Sequence, residues 1–429
     1  MGILLLEDVG VERLAPMTLL RPAFEVGCGG WSLKTAVQSL EVPVTACVRP
    51  RFNELVKQQS MAFTLADQSN DTLIVNARLV PSIQAVKVLG EMLTESQVCV
   101  ACAGEHWAAV RIPESASDSI VDLTGHLSES TEVRKIPRLE PAIKVTNDLE
   151  LFEWPFHVIK YHKLHMHQTL SAIANRLITK SGFSKNANGA VVADNASISP
   201  HAVLDTSRGP IVVMENAEIG PMAFLRGPVL LGPNSRVNEH ASVKDGVMLG
   251  NTARVGGELH NSIVESFSNK QHHGFLGDSY VGAWVNLGAG TTNSNLKNTY
   301  GTIRVSYPSL TDDATAGPTK IETGMQFLGI VVGDYSKTAI NASIYTGLTI
   351  GVCSNVYGTV PTNVPSFVNY AAQGGSITEV PADVSITTHE RMHLRRNVPV
   401  TDSDRQLVRE AFRITAGTRA GLESGPPRF

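Results

Sequence analysis

Residues 211–256 read IVVMENAEIGPMAFLRGPVLLGPNSRVNEHASVKDGVMLGNTARVG, and an aliphatic residue recurs in this stretch at every sixth position. The recurring residues are Val213, Ile219, Leu225, Leu231, Val237, Val243, Leu249 and Val255, and glycine follows at Gly220, Gly232, Gly250 and Gly256. A period of six is neither the 3.6 of an α-helix nor the 2 of a plain strand. It is typical of a repeat in which each short strand directs one aliphatic side chain toward a central axis. The stretch therefore predicts a solenoid of parallel β coils.

The six-residue pattern lapses after Val255 and resumes two residues out of phase, with Phe275, Val281 and Leu287. We expect a loop or bulge to absorb this shift. The pattern then continues to Val356, but it is interrupted at about 296–328, a segment that should protrude from the solenoid. Because each coil can bury its aliphatic residues only against its neighbours, the stack should fold as one cooperative unit.

The composition of the chain argues against several classes of partner. A length of 429 residues exceeds what one core usually holds, and 42% hydrophobic content is enough for two or three domains. A net charge of −4 without a long basic run argues against nucleic acid or a membrane surface as a partner, although a small anionic substrate needs only a local cluster. Five cysteines are few and odd in number, which suits a reducing compartment, and neither an export signal nor a membrane span is evident. We therefore expect a cytoplasmic protein.

The residues before the solenoid alternate between strand and helix patterns. Strand-like runs at 3–6, 44–48, 72–75 and 98–112, with a helical pattern near 32–40, predict an α/β domain with a largely parallel sheet. A longer helical stretch and a glycine-containing linker follow, and an amphipathic helix is expected at about 403–414. The expected domains are an α/β domain with a helical linker at 1–185, the solenoid at 186–372, and a C-terminal extension with a helix at 373–429.

Polar residues capable of chemistry concentrate where the six-residue pattern shifts. This region contains Glu258-Leu259-His260-Asn261, Asn269-Lys270-Gln271-His272-His273 and Asn293-Ser294-Asn295. A solenoid wall needs neither histidine nor lysine for packing, so the cluster indicates a site. Histidine takes a proton near neutral pH, and asparagine holds a carbonyl or an amine without adding charge, a combination that suits acyl transfer to an amine. Since adjacent residues of a strand face opposite ways, only one of His272 and His273 should act.

Two motifs in this region resemble those of the left-handed β-helix acyltransferases with hexapeptide repeats, most closely the bifunctional UDP-N-acetylglucosamine pyrophosphorylase / glucosamine-1-phosphate N-acetyltransferase family. The family's His-x-x-aromatic-Leu-Gly-Asp segment reads HHGFLGD at 272–278, and its Val-Asn-Ile-Gly-Ala-Gly-Thr segment reads VNLGAGT at 285–291. The left hand of the helix is implied by this resemblance, since the general preference for right-handed crossovers predicts the opposite. The expected fold class is thus an α/β nucleotidyltransferase-like domain plus an all-β left-handed parallel β-helix.

The resemblance implies a catalytic site in which His272 is the general base for the attacking amine. It implies Asn286 and Asn295 as ligands of the substrate or the acyl group, and Glu258 as a sugar contact or as a residue that supports one. Lys270, in the same polar cluster, is a further candidate for binding the substrate. Acetyl-CoA would be the co-substrate, lying along the later coils between the subunits of a homotrimer. The acceptor would be an amino-sugar phosphate, such as glucosamine 1-phosphate, or a nucleotide sugar.

The chain departs from this family at two positions. Phe275 stands where the family has a substrate-binding tyrosine, and Lys297 is the candidate for a lysine that the family places shortly after its second asparagine. Arg226 and Arg254, in coils below His272, are further candidates for binding a sugar phosphate as bidentate donors. A solvated coil edge is the alternative role for each arginine.

The stretch LAPMTLLRP at 14–22 resembles the Leu-x-Pro-Leu-Thr-x-x-Arg-Pro-Lys segment of sugar nucleotidyltransferases, with Ala23 in place of the lysine. Arg21 is therefore a candidate phosphate ligand, with a surface ion pair as the alternative. The glycine-rich turn expected after the first strand is absent, and Glu7-Asp8 would repel a triphosphate unless a metal intervened. Asn76 stands where a metal-binding aspartate would be sought. A nucleotidyltransferase activity that requires Mg²⁺ is expected only if this domain is active; a degenerate or substrate-binding domain is the alternative.

Two other function classes remain open. A metal-dependent β-helix hydratase of the γ-class carbonic anhydrase type needs three correctly spaced histidines, but His260 and His272 occur without a His-x4-His pair, so no metal site is expected. A non-catalytic scaffold that binds sugar nucleotides is favoured if Phe275 and the missing lysine disable catalysis. His162 and His165 share a helical face, which we interpret as solvated.

Overall fold

A computed structural model describes residues 1–63, 71–114, 120–136, 143–146, 148–307, 318–371 and 375–426 of the chain. The chain forms two compact units, Met1–His157 and Val158–Phe429. The first unit is an α/β domain, and the second is a β-solenoid with flanking helices.

The first unit is built on a six-stranded sheet around the apolar strand Gly2–Leu6, whose last four residues are buried. The strands lie in the order Val44–Cys47, Gly2–Leu6, Thr72–Asn76, His106–Ile112, Cys99–Ala103 and Ile143–Thr146. Of these six, His106–Ile112 is antiparallel to both neighbours and the others share one direction, so the predicted largely parallel sheet is confirmed. The described part of this unit also contains a short antiparallel pair, Gly27–Cys28 with Trp31–Ser32, and the α-helices α1 (Leu33–Gln38), α2 (Asn53–Gln58), α3 (Ile83–Leu93) and α4 (Ile120–Glu129).

The second unit is a parallel β-helix with three faces, which confirms the predicted solenoid. Face 1 consists of Val191–Ala193, Ile211–Val213, Val229–Leu231, Val247–Leu249, Ile263–Val264, Tyr280–Val281, Val331–Val332 and Thr349–Ile350. Face 2 consists of Ser197–Ile198, Glu218–Ile219, Arg236–Val237, Arg254–Val255, Asn269–Lys270, Asn286–Leu287, Lys337–Thr338, Asn355–Val356 and Val368–Tyr370. Face 3 consists of Val203–Asp205, Phe224–Arg226, Ser242–Lys244, Glu258–His260, Phe275–Gly277, Thr292–Asn293, Ser343–Ile344 and Thr359–Val360. The aliphatic residues of the six-residue pattern form one buried core inside these faces.

The close approach of successive coils explains the glycines that follow the aliphatic positions. A Cβ atom on Gly220 would lie 2.7 Å from the backbone nitrogen of Glu239, and one on Gly232 would lie 2.5 Å from the carbonyl oxygen of Leu249. A side chain at either position would push neighbouring coils apart. Between face 1 and face 2, amide side chains at successive corners form a hydrogen-bonded ladder of Asn195, Asn216, Asn234 and Asn251.

The shift in the six-residue pattern is absorbed by shortened coils, where we expected a loop or bulge. Arg236 pairs with Arg254, 18 residues away, whereas Arg254 pairs with Asn269, 15 residues away. The chain therefore closes this coil with fewer corner residues and keeps its faces in register.

The predicted excursion contains an antiparallel hairpin of Arg304–Tyr307 with Thr319–Glu322, outside the three faces. Residues 308–317 lie outside the described part of the chain. Near the base of the hairpin, the side-chain amide of Asn293 accepts a hydrogen bond from the Gly277 nitrogen at 2.9 Å and donates one to the Gly277 oxygen at 3.1 Å. The side-chain amide of Asn293 thus bonds the backbone groups that a neighbouring strand would otherwise pair with, at the point where the hydrogen bonding between strands of face 3 is interrupted.

Helix α5 (Pro155–Leu177) packs on the outer side of face 1. An apolar stripe on α5, Met166, Leu170 and Ala174, buries the outward side chains of Val191, Val212 and Leu230. His162, which we interpreted as part of a solvated face, is instead fully buried, and its Nε2 lies 2.8 Å from the carbonyl oxygen of Gly246. Because burial lowers the pKa of His162 to about 4, the ring is neutral at pH 7 and its N–H donates to Gly246.

This histidine makes the docking of α5 dependent on pH. The pKa of His162 is below its ordinary value of 6.5, so its stabilising effect is complete above that value and is lost as pH falls toward 4. We expect a loss of up to about 3 kcal/mol over this range. Thermal unfolding of the wild type and His162→Gln, recorded near pH 7.5 and near pH 5, measures the effect. An equal loss of stability in both proteins would contradict the assignment.

An antiparallel strand covers one face at each end of the solenoid. Phe183–Lys185 pairs with Val191–Ala193 on face 1, and Ile377–Glu379 pairs with Val368–Tyr370 on face 2. Each added strand occupies hydrogen-bonding groups that a terminal coil would otherwise present to solvent.

The C-terminal extension continues as helices α6 (Ala382–Leu394) and α7 (Asp402–Ile414). Helix α7 occupies the segment in which we predicted an amphipathic helix. Helix α6 stacks His389 on Tyr335, with ring centroids 3.5 Å apart, and His393 on Trp284, with centroids 4.0 Å apart. The two aromatic residues lie at corners between face 1 and face 2, so the extension is anchored to the solenoid wall.

Candidate active site

Face 3 carries a column of three basic side chains on successive coils. The strand register pairs Arg226 with Lys244 and Lys244 with His260. The residue before each of them points into the core and is fully buried, so the three basic side chains point outward. Neighbouring strands lie about 4.8 Å apart, so one anionic group can contact two members of this face 3 column at once.

Carboxylates hold the column in place from the side. Arg226 donates to Asp245 through two hydrogen bonds of 2.9 and 2.5 Å, and this arginine lowers the pKa of Asp245. The amine of Lys244 lies 2.9 Å from Oε1 of Glu258, a predicted substrate contact that is exposed. Nε2 of His260 lies 3.5 Å from Oδ2 of Asp245. The basic groups are thus oriented before any ligand binds.

A buried carboxylate, Asp278, joins the end of face 3 to helix α5. Its Oδ1 accepts from Nζ of Lys163 at 2.6 Å and from Nδ2 of Asn261 at 3.1 Å, and its Oδ2 accepts from Nδ2 of Asn295 at 2.6 Å. Since a carboxylate only accepts, the amide nitrogen of Asn295 faces Asp278. The amide oxygen of Asn295 can therefore accept an N–H group from a ligand.

His272 and His273 occupy the corner between face 2 and face 3, directly before Phe275–Gly277, and both are exposed. Lys270 supports this corner from inside, since its amine donates to the carbonyl groups of Gly256, His272 and His273 at 3.2, 2.6 and 3.3 Å. Burial lowers the pKa of Lys270 to about 8. Lys270, a predicted substrate contact, is 1% exposed, and its contacts are those of a residue that shapes the corner.

The three residues predicted as catalytic lie on neighbouring coils but do not converge within one chain. His272 lies at one edge of face 3, and Asn295 follows Thr292–Asn293 at the opposite edge. Asn286 is exposed on face 2, around the corner from both. A substrate lying across face 3 could contact His272 and Asn295, whereas Asn286 faces a different side of the solenoid.

The other predicted contacts are dispersed. Arg254 lies on face 2, in register with Arg236 and Asn269. The amine of Lys297 donates to the carbonyl oxygen of Thr302 at 2.7 Å, within the excursion. Arg21 is half-buried in the first unit.

Sequence reasoning missed Lys244 as a member of the site, and it named His260 and Asp278 without assigning His260 to the column or Asp278 to its contact with α5. The signal for Lys244 was present, because it follows Arg226 by one 18-residue coil. His260 follows Lys244 by 16 residues, a spacing that becomes visible only once the coil is known to be shortened. For Asp278, the partner on α5 could not be assigned from spacing.

The carboxylates after the first strand of the N-terminal unit are committed to internal partners. Glu7 accepts from Nε of Arg49 at 2.9 Å, and Asp8 accepts from Nε and Nη2 of Arg78, each at 2.7 Å. Asn76 donates to Asp8 at 2.8 Å. Two arginines therefore neutralise the carboxylates that we expected to need a metal.

The described residues do not fit a Mg²⁺ site at this strand end, because Asp8 and Asn76 are bonded to each other and to Arg78. More generally, the described residues contain no group of three or more histidine, cysteine, aspartate or glutamate side chains arranged to hold a metal. Among the helices that are described, none has the length and apolar character needed to cross a membrane.

A family model matches the N-terminal part of the chain. Residues 3–177 match the model for sugar nucleotidyl transferases. A bifunctional sugar-1-phosphate nucleotidylyltransferase/acetyltransferase of Sulfurisphaera tokodaii is 29% identical over 100 residues, which cover 23% of this chain and 23% of that protein. The match thus spans about a quarter of the relative's length.

Solved structures of acyltransferases resemble the chain weakly. UDP-N-acetylglucosamine acyltransferase of Francisella novicida has a TM-score of 0.32 and 15% identity, covering 56% of this chain and 94% of its own. The N-acyltransferase AntD of Bacillus cereus, in complex with dTDP-4-amino-4,6-dideoxyglucose and coenzyme A, has a TM-score of 0.18 and 12% identity. The match covers 52% of this chain and 96% of the AntD chain. Scores this low carry no argument about the chemistry of this chain.

Proposed function

We propose that the solenoid transfers an acetyl group from acetyl-CoA to the amine of an amino-sugar phosphate, with glucosamine 1-phosphate as the first candidate and a nucleotide sugar as the alternative. The single observation that carries this proposal is the column of Arg226, Lys244 and His260 on face 3, the face at whose edge His272 lies. Stacked basic groups suit a phosphate, and an exposed histidine at the edge of the same face suits proton removal from an amine. The likeness to a bifunctional nucleotidylyltransferase/acetyltransferase also supports it.

In the proposed reaction the phosphate binds the face 3 column and the amine lies near His272. The neutral amine attacks the thioester carbonyl, the C–N bond forms, and the C–S bond breaks to release coenzyme A. Nε2 or Nδ1 of His272 takes the proton that the amine loses, so no acyl-enzyme is needed. Asn295, oriented by Asp278 at the opposite edge of face 3, accepts a hydrogen bond from another N–H or O–H group of the substrate.

We propose a homotrimer in which faces 2 and 3 meet those of neighbouring subunits. Helix α5 covers part of face 1, whereas the region around the corner between faces 2 and 3 exposes Val203, Met222 and Ile340, at 54, 59 and 68%. Packing through this corner would cover the three apolar side chains. It would also bring Asn286 of one subunit toward His272 of the next.

Release of free coenzyme A tests the proposed function. The purified chain is mixed with acetyl-CoA and, in turn, with glucosamine 1-phosphate, other amino-sugar phosphates and nucleotide sugars. Release that depends on one acceptor would support acyl transfer and identify the substrate. An absence of release, together with failure to bind acetyl-CoA, would favour the non-catalytic scaffold.

A second candidate function, nucleotidyl transfer to a sugar 1-phosphate, belongs to the N-terminal unit and is favoured by the family-model match. The internal pairing of Glu7 and Asp8 leaves neither carboxylate open to Mg²⁺ at this strand end, which favours binding of a sugar nucleotide without turnover. Pyrophosphate release from UTP and a sugar 1-phosphate, measured with and without Mg²⁺, distinguishes the two. Magnesium-dependent release would show that other residues hold the metal.

A further inference from the structure

A cleft of about 430 Å³ opens between helix α5, the loop at Arg208 and the corner between face 3 and face 1. It adjoins the face 3 column and shares His260 with it. Met166 and Pro228 supply apolar surface to its lining. Its charged and polar lining consists of Lys163, His167, Arg208, Asp245, His260 and Asn261.

The walls of this α5 cleft are held in close contact. The hydrogen bond from His162 to the carbonyl oxygen of Gly246 fixes α5 over the coils. A Cβ atom on Gly209 would lie 3.0 Å from both the His167 ring and Pro228, so the loop approaches α5 as closely as a glycine permits. The cleft is therefore formed before any ligand arrives.

The acidic groups of the cleft already have cationic partners. Asp245 is bonded to Arg226, and Asp278, behind Asn261, is bonded to Lys163. Arg208 is exposed, and no carboxylate among the described residues lies within 4.0 Å of its guanidinium. His167 is exposed at the same rim. Arg208 interacts electrostatically with Asp205 and Asp245, but no ion pair among the described residues fixes its guanidinium, so this side chain can turn toward a ligand.

We propose that the α5 cleft binds the phosphate group of a small phosphate ester through Arg208 and His167. A guanidinium donates in a planar fork that matches two phosphate oxygens, and an imidazole N–H adds a third hydrogen bond. The apolar surface of Met166 and Pro228 accommodates the carbon skeleton of the ester. This site shares His260 with the face 3 column, but Arg208 and His167 lie outside that column, and phosphate binding there does not depend on acyl transfer.

Calorimetric titration of the full chain with glucose 1-phosphate tests the proposal, with glucose as the uncharged control. The experiment uses Lys244→Gln as the background, because this change weakens the face 3 column and leaves the cleft intact. We expect glucose 1-phosphate to bind in this background, and the further changes Arg208→Gln and His167→Gln to weaken binding by about ten-fold or more. Arg134→Gln, an exposed arginine in the first unit, removes the same charge and should leave the affinity unchanged.

Two results would overturn the proposal: no binding of glucose 1-phosphate in the Lys244→Gln background, or binding that is unaffected by the changes at Arg208 and His167. Glucose binding as tightly as its phosphate would also contradict it. Because Arg208 and His167 are exposed, their replacement should not shift thermal unfolding relative to Lys244→Gln alone, which separates lost binding from lost folding. Coenzyme A release is measured independently, so a failure of acyl transfer would leave this result intact.

Discussion

Replacement of His272 by alanine is expected to lower kcat/KM for acetyl transfer by about 10²- to 10⁴-fold, the usual contribution of a positioned general base. The ring is exposed, and its side chain makes no hydrogen bond within the described residues, so the free energy of unfolding should stay nearly unchanged. Coenzyme A release, thermal unfolding and the oligomeric state are measured on the same preparation.

The adjacent His273→Ala provides the matched control, since it removes the same ring at the same corner. A larger loss of activity in His273→Ala than in His272→Ala would assign the base to the other histidine. A loss of activity that accompanies a lower unfolding temperature would point to a structural role. If both variants retain full activity, the proposed mechanism is wrong.

Replacement of Arg78 by methionine is expected to destabilise the N-terminal unit by about 3–5 kcal/mol, because it leaves a buried carboxylate without its cation. The side chains of Arg78 and Asp8 are 2 and 0% exposed, and Arg78 also donates to the carbonyl oxygen of Phe152 at 2.9 Å. Hydrogen exchange of the amides in Gly2–Leu6 and Thr72–Asn76 reports the loss within this unit.

The double variant Arg78→Met/Asp8→Leu should recover part of this loss, since it removes both charges together. Arg134→Gln, which breaks an exposed pair with Glu132, should leave the free energy of unfolding nearly unchanged. A loss of less than about 1 kcal/mol in the free energy of unfolding for Arg78→Met alone would contradict the stabilising role of the buried Arg78–Asp8 pair. Acetyl transfer by the solenoid should be retained in all three variants.

The architecture of the solenoid could be predicted because its physical cause is local and repeated. Val213, Leu231 and Leu249 each fill one core position per coil, and Gly220 and Gly232 mark the points where the next coil comes too close for a side chain. The shortened coil after Arg254 was harder to predict from the sequence. A coil that lacks residues and a coil that carries an inserted loop shift the six-residue pattern in similar ways. Only the observed pairing with Asn269 distinguishes them.

The candidate site could be predicted only in part, because a motif identifies residues without placing them. The motifs located His272, Asn286 and Asn295, yet the coil geometry sends Asn286 to a different face. His162 was misinterpreted because its helical pattern gave no sign of the backbone carbonyl of Gly246, which lies 84 positions away in sequence. The pairing of Asp278 with Lys163 joins segments 115 positions apart, and no local pattern records it.

The antiparallel strands at the two ends of the solenoid have a consequence for self-association. A stack of parallel coils with open ends is a template onto which further chains can add, as in a growing fibril. Phe183–Lys185 and Ile377–Glu379 run against the direction of the coils, so neither presents the parallel edge that another coil would need. At each end of the solenoid, one of the three faces is therefore closed to the addition of a further parallel coil.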